Sequence, residues 1–226
     1  MAAAKYNLKI NYVNVSESFE LDFDHLESLL NKNTKVVSIV GESNISGMLP
    51  DIKKINSLVK DKTDAVYIVD GAQLVPHRKI DVQDLGIDFL CVSGHKMLGP
   101  TGIGVVWGRK ELLENLDPVY GGGDMIEEVF YDTATWAPIP HKFEAGTPPY
   151  VEAIGLGAAV DYLSNLDMNS VQKHSDDLRE YAKNKLENID GLNIIHTNSK
   201  LAGCTFAMSV DGCLLYTSDA ADDLLC

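Results

Sequence analysis

Residues 65–108 read AVYIVDGAQLVPHRKIDVQDLGIDFLCVSGHKMLGPTGIGVVWG, and this stretch decides the fold. It holds three short apolar runs: AVYIV from Ala65 to Val69, DFLCV ending at Val92 and IGVVW ending at Trp107. Apolar runs this short, rich in β-branched residues, predict buried strands, and the first suits a parallel sheet. The first run leads straight into DGAQ, with Asp70 and Gln73. The second leads into the glycine-rich turn SGHKMLGPTG, with Ser93, His95 and Lys96. In open α/β sheets ligands lie beyond the carboxyl ends of the strands, so these polar residues are the first candidates for a site.

The same alternation extends outward. Leu26, Leu29 and Leu30 recur at helical spacing within Asp22–Leu30, where Asp24 and Glu27 are spaced as in a capping arrangement, and KVVSIV after them predicts another buried strand. That strand runs into GESNISG and puts Asn44 at a third strand end. Ile52, Ile55, Leu58 and Val59 share one helical face behind Pro50, a proline tolerated in a first turn. Beyond the Gly121–Gly123 loop, an Ala/Gly/Leu-rich helix is expected from about Val151 to Leu166, then an amphipathic helix from about Asn169 to Ile189. The strands NIIHT and TFAMSV come last. These elements predict an α/β fold. A large domain over residues 1–165 would have a mainly parallel sheet between helices, and residues 166–212 would be part of a small α+β C-terminal domain. The last stretch, CLLYTSDAADDLLC over 213–226, carries no packing pattern and resembles the conceptual translation of a sequencing adapter. It is set aside as a non-native tail.

The formal net charge of −14 disfavours nucleic acid and anionic membranes, because each phosphate contact needs a Lys or Arg. There is no run of 18 apolar residues and no signal-peptide pattern at the start, so a cytoplasmic protein is expected. Four cysteines without CxxC spacing give neither a disulfide framework nor a zinc site, and no metal is expected. Cys91 lies inside an apolar run and Cys204 begins a strand, so both read as core thiols.

Asn44, Asp70, Gln73, Ser93, His95 and Lys96 put amide, acid, hydroxyl, imidazole and amine on neighbouring strand ends, which implies a polar ligand. An aspartate can keep a pyridine nitrogen protonated, and a partly desolvated lysine can be the amine that an aldehyde cofactor requires. In DGAQ, SGHK and GPTGIG the sequence resembles the class V aminotransferases, fold type I enzymes that use pyridoxal 5'-phosphate (PLP). The GGGDMI loop and FEAGTPPYVEAIGLGAAVDYL from Phe143 are most similar to SufS-type cysteine desulfurases, and the resemblance extends from about Asn7 to Gly212.

The resemblance implies that Lys96 forms the Schiff base with PLP and Asp70 pairs with its ring nitrogen. Gln73 would bond the ring hydroxyl, Ser93 and His95 would hold the phosphate, and Asn44 would face the substrate carboxylate. Thr147 would reach the phosphate of the partner subunit's PLP, which implies a homodimer, and the Gly121–Gly123 loop reads either as closing over the partner's site or as a plain flexible loop. Glu42 departs from the family pattern. His77 and His141 gain no role, and His25, His174 and His196 read as surface residues. The implied reaction takes L-cysteine to L-alanine and leaves persulfide sulfur for an acceptor protein, serving iron–sulfur clusters or other sulfur cofactors. Family members carry the nucleophilic cysteine beyond the position of Gly212, so the chain is expected to be truncated at both ends and inactive alone. The other readings are a different class V enzyme (aminotransferase, selenocysteine lyase or epimerase) and a non-catalytic product.

Overall fold

The computed structural model describes residues 5–16, 18–195 and 202–213. The tail read from Cys213 therefore lies, apart from Cys213 itself, outside the described residues, as do His196 and Thr197 of the NIIHT run.

Helix α1 (Phe23–Leu29) leads to β1 (Val36–Val40), α2 (Ile52–Lys62) to β2 (Val66–Asp70), and β3 (Phe89–Ser93) through a 3-10 turn (Gly94–Met97) to β4 (Gly104–Gly108). These four strands form one sheet in the order β1-β2-β3-β4. The first three are parallel, and β4 returns antiparallel to β3 because the glycine-rich turn reverses the chain without a helix. The apolar spacing anticipated in α2 is realised: Ile52, Ile55 and Val59 are buried, and they form the core with Tyr67 and Val69 of β2 and with Ile87. Asp51 caps this helix by accepting from the Lys54 amide at 3.0 Å.

Two expectations are corrected. The strands β1 and β4 are not buried runs. They are the edges of the sheet, and Val36, Val40, Val105 and Val106 are exposed. The cap of α1 is Asp22, whose carboxylate accepts from the His25 amide at 2.8 Å, rather than a pairing of Asp24 with Glu27. His25 is half-buried, and its Nδ1 accepts from the Asn14 amide.

After the short helix α3 (Lys110–Glu114), the hairpin β5 (Ile126–Val129) and β6 (Ala134–Trp136) stands apart from the main sheet. Helix α4 (Tyr150–Ser164) packs on the turn after β3, with Leu156 against Gly99 and Gly155 against Pro100. Helix α5 (Met168–Leu186) precedes an antiparallel pair, β7 (Leu192–Ile195) and β8 (Ala207–Val210).

Below the sheet, Asp88 is 1% exposed and ties several elements together. It accepts from Lys60 Nζ of α2, the Tyr67 amide of β2 and the Arg109 guanidinium beyond β4, each at 2.8 Å. Burial alone would raise this carboxyl, but the three donors prevail and hold it below the usual carboxylate range.

Candidate active site

Parallel register brings the strand ends together: Val40 pairs with Asp70, and Asp70 with Cys91. The chain crosses this edge through tight turns. The Gly41 amide donates to Asp70 O at 2.7 Å and the Gly71 amide to Cys91 O at 2.8 Å. Asp70 is exposed at the end of β2, and its Oδ1 accepts from the Ala72 amide at 3.0 Å. Gln73 follows in a turn closed by the Leu74 and Val75 amides on Gly71 O.

The second half of the site hangs on the turn after β3. The Gly94 amide donates to Ile103 O and the Gly99 amide to Gly94 O, both at 3.0 Å, so the turn is fixed at each end. From it Lys96 Nζ donates to Gln73 Oε1 at 3.0 Å, and Ser93 Oγ lies 3.0 Å from His95 Nδ1. Among the described residues neither Lys96 nor Asp70 has an ion-pair partner. The amine is therefore held by a neutral amide, and the carboxylate is left for a ligand cation. An arrangement of this kind can bind a carbonyl compound through Lys96, a cationic ring nitrogen at Asp70 and an oxyanion at Ser93 and His95.

Asn44 is exposed in the turn after β1. The turn is shaped by Ser43, whose Oγ accepts from the Ile45 amide at 3.2 Å and the Ser46 amide at 3.1 Å. Thr147 is exposed in the segment before α4, and the Gly146 amide next to it donates to Gly123 O at 3.0 Å. This packs the Gly121–Gly123 loop on the GTP segment. No recorded contact among the described residues brings Thr147 to the Lys96 group.

Glu42 was visible in the sequence only as a departure from a family pattern. It is 3% exposed, and neither carboxyl oxygen makes a well-formed hydrogen bond among the described residues, although the Cys204 backbone N–H faces them. Burial pushes its pKa up to about 7, against the opposing pull of Arg78, the Cys204 backbone N–H and Lys96. The sequence signal that could have flagged it was a glutamate between a strand end and a tight turn, but its burial depends on a distant glycine, Gly203. Desolvation raises both thiols, Cys91 with help from Asp70; the expectation that Cys204 is a core thiol at the start of a strand is corrected, since it is exposed, donates to Ser175 O and precedes β8, which starts at Ala207. His77 is lowered by burial and by the neighbouring Arg78.

Comparison with known proteins follows this geometry. The sequence model of the family Aminotransferase class-V matches residues 1–215. A probable cysteine desulfurase of Streptomyces coelicolor is 44% identical over 86% of this chain and 46% of its own length. One from Synechocystis is 40% identical over 98% of the chain and 52% of its length. The crystal structure of a cysteine desulfurase from Escherichia coli superposes with a TM-score of 0.87 at 33% identity, covering 95% of this chain and 53% of that one. A more distant structure, a C-DES variant with glycine covalently linked to its PLP cofactor, shares the fold with a TM-score of 0.81 at 21% identity. The chain thus spans about half the length of the curated relatives it matches, and it belongs to the class V aminotransferase family.

Proposed function

We propose that this chain carries the cofactor-binding part of a PLP-dependent cysteine desulfurase. The observation that carries the reading is the hydrogen bond from Lys96 Nζ to Gln73 Oε1, beside an Asp70 carboxylate with no cation partner among the described residues. The donor set fits the cofactor group by group: amine to aldehyde, carboxylate to ring nitrogen, and Ser93 with His95 to phosphate. When bound, PLP supplies an aldehyde for amino groups and a ring that withdraws electrons from the substrate Cα. Asp70 keeps the proton on the ring nitrogen. Gln73 orients Lys96 Nζ and would bond the ring hydroxyl of the bound cofactor. Lys96 Nζ moves the proton at Cα of the substrate, L-cysteine, whose carboxylate faces Asn44.

The sulfur-accepting nucleophile is not assigned to Cys91, whose thiol is held up by burial, or to Cys204, whose thiol is exposed but donates to Ser175 O and faces the Glu42 and Asp176 carboxyls. The acceptor would be a separate protein serving iron–sulfur clusters or other sulfur cofactors. Residues 1–165 form the proposed large domain and 166–212 part of a small one.

The protein would act as a homodimer, with Thr147 reaching the partner's phosphate. The apolar residues Val151 and Ile154 of α4, exposed near Thr147, support that reading.

Titration of the chain with PLP tests the assignment. A saturable near-visible absorbance that Lys96→Ala abolishes is expected, and L-cysteine should perturb it. A spectrum identical to that of PLP with an unrelated lysine-containing protein would overturn it.

A further inference from the structure

The C-terminal segment Ala202–Thr205 lies directly on the turn that carries Asn44. Met48 forms an isolated antiparallel bridge with Ala202, and the Gly203 amide donates to Gly47 O at 2.7 Å. The approach leaves no room for side chains at either glycine. A Cβ at Gly47, which also has φ +69°, would meet Thr205 O, and a Cβ at Gly203 would run into the Glu42 carboxyl. Glu42 therefore sits sealed between the turn after β1 and the segment before β8.

Four groups face this carboxyl from the elements around it: Arg78 from the turn after β2, Asp176 from α5, Lys96 from the turn after β3, and Cys204. Arg78 is already engaged, with Nη2 3.0 Å from Asp176 Oδ1. A neutral Glu42 can remain sealed where it is. An ionised one, with the Cys204 backbone N–H as its single facing backbone donor and no well-formed hydrogen bond to either oxygen, needs water or a cation. An ionised Glu42 would have to compete with Asp176 for Arg78, or push Gly203 away and admit solvent.

We propose that Glu42 is a positioning residue whose protonated carboxyl latches residues 202–205 onto the Asn44 turn, and that its ionisation releases them. The backbone contacts of the latch do not rest on the cofactor assignment, although Lys96 is one of the charges that face Glu42. Its position gives it a consequence for the site: the Gly41–Met48 turn is clamped on one side by β2 and on the other by a segment whose seating depends on pH. The raised pKa of Glu42 sets the release near neutrality.

Hydrogen exchange on the full 226-residue chain, corrected for the intrinsic effect of pH on amide exchange, tests the latch. Between about one unit below and one unit above pH 7, protection of the Gly203 amide should fall roughly tenfold, following the protonated fraction of Glu42. The Val66–Asp70 amides should stay protected throughout, which separates release from unfolding. Glu42→Gln keeps the shape and cannot ionise, so its Gly203 amide should remain protected across the range. Wild-type protection that does not change with pH would overturn the proposal. So would a Glu42→Gln chain that shows the wild-type pH dependence, or one that is unprotected at every pH. If the variant fails to fold, the wild-type series alone decides.

Discussion

At the scale of single residues, the site depends on which polar groups have partners and which do not. Asp70 is expected to contribute a charge-assisted hydrogen bond to the cofactor ring, so Asp70→Asn should weaken PLP binding about ten- to a hundredfold, read from equilibrium titration. Unchanged affinity would remove Asp70 from the site. Glu42 makes a second prediction, on stability. Its folded pKa is raised from 4.5 to about 7, so the folded state binds the proton more tightly than the unfolded one. That contribution is fully present below about pH 4.5 and is lost as the pH rises to about 7. Urea midpoints of the wild type should therefore fall more steeply over this window than those of Glu42→Gln, and parallel curves would contradict the burial argument. Asp70 and Ser93 directly follow short apolar runs and Gln73, His95 and Lys96 lie within four residues of them, which is why the sequence offers all five as candidates. The burial of Glu42 was not, because a glutamate after a strand reads as a solvated turn residue until Gly203 arrives from the far end of the chain.

At the scale of elements, the Asp88 network fastens α2, β2 and the start of α3 beneath the sheet. Asp88→Asn would leave Lys60 and Arg109, both partly exposed, without their shared carboxylate. A loss of about 2 kcal/mol in unfolding free energy at neutral pH is expected from chemical denaturation. Because the folded pKa is depressed, this stabilisation is present above the unfolded value and disappears as the pH falls through the folded one. A variant as stable as the wild type at pH 7 would show that the network contributes nothing. Helices α1, α2, α4 and α5 and the four main strands were readable from periodicity, composition and short apolar runs, whereas the short α3 was not anticipated. The hairpin β5–β6 was not, because MIEEVFYDTATW interrupts its apolar residues with charges and lacks an Asn-Gly or Asp-Gly turn. The edge character of β1 and β4 was equally hidden, since a valine-rich run looks the same whether it lies inside a sheet or at its margin.

At the scale of the whole molecule, α4 and the β5–β6 hairpin are among the elements that carry exposed apolar residues. Tyr150, Val151, Ile154 and Tyr162 are exposed on the helix, and Val129, Phe130 and Tyr131 on the hairpin. An apolar surface of that kind can form an interface, and the proposed homodimer would cover it. Sedimentation at micromolar concentration should show a dimer that Val151→Asp with Ile154→Asp converts to monomer without loss of helical signal. A monomeric wild type would count against the shared site and against the role given to Thr147.

The central claim is that Lys96 holds the cofactor, and the most direct measurement is chemical. The chain is incubated with PLP, reduced with borohydride and digested, and the modified peptide is located by mass spectrometry. The account predicts one dominant adduct on Lys96, near one per chain and absent from Lys96→Ala. An adduct spread over surface lysines such as Lys110 and Lys173, with no enrichment at Lys96, would contradict it.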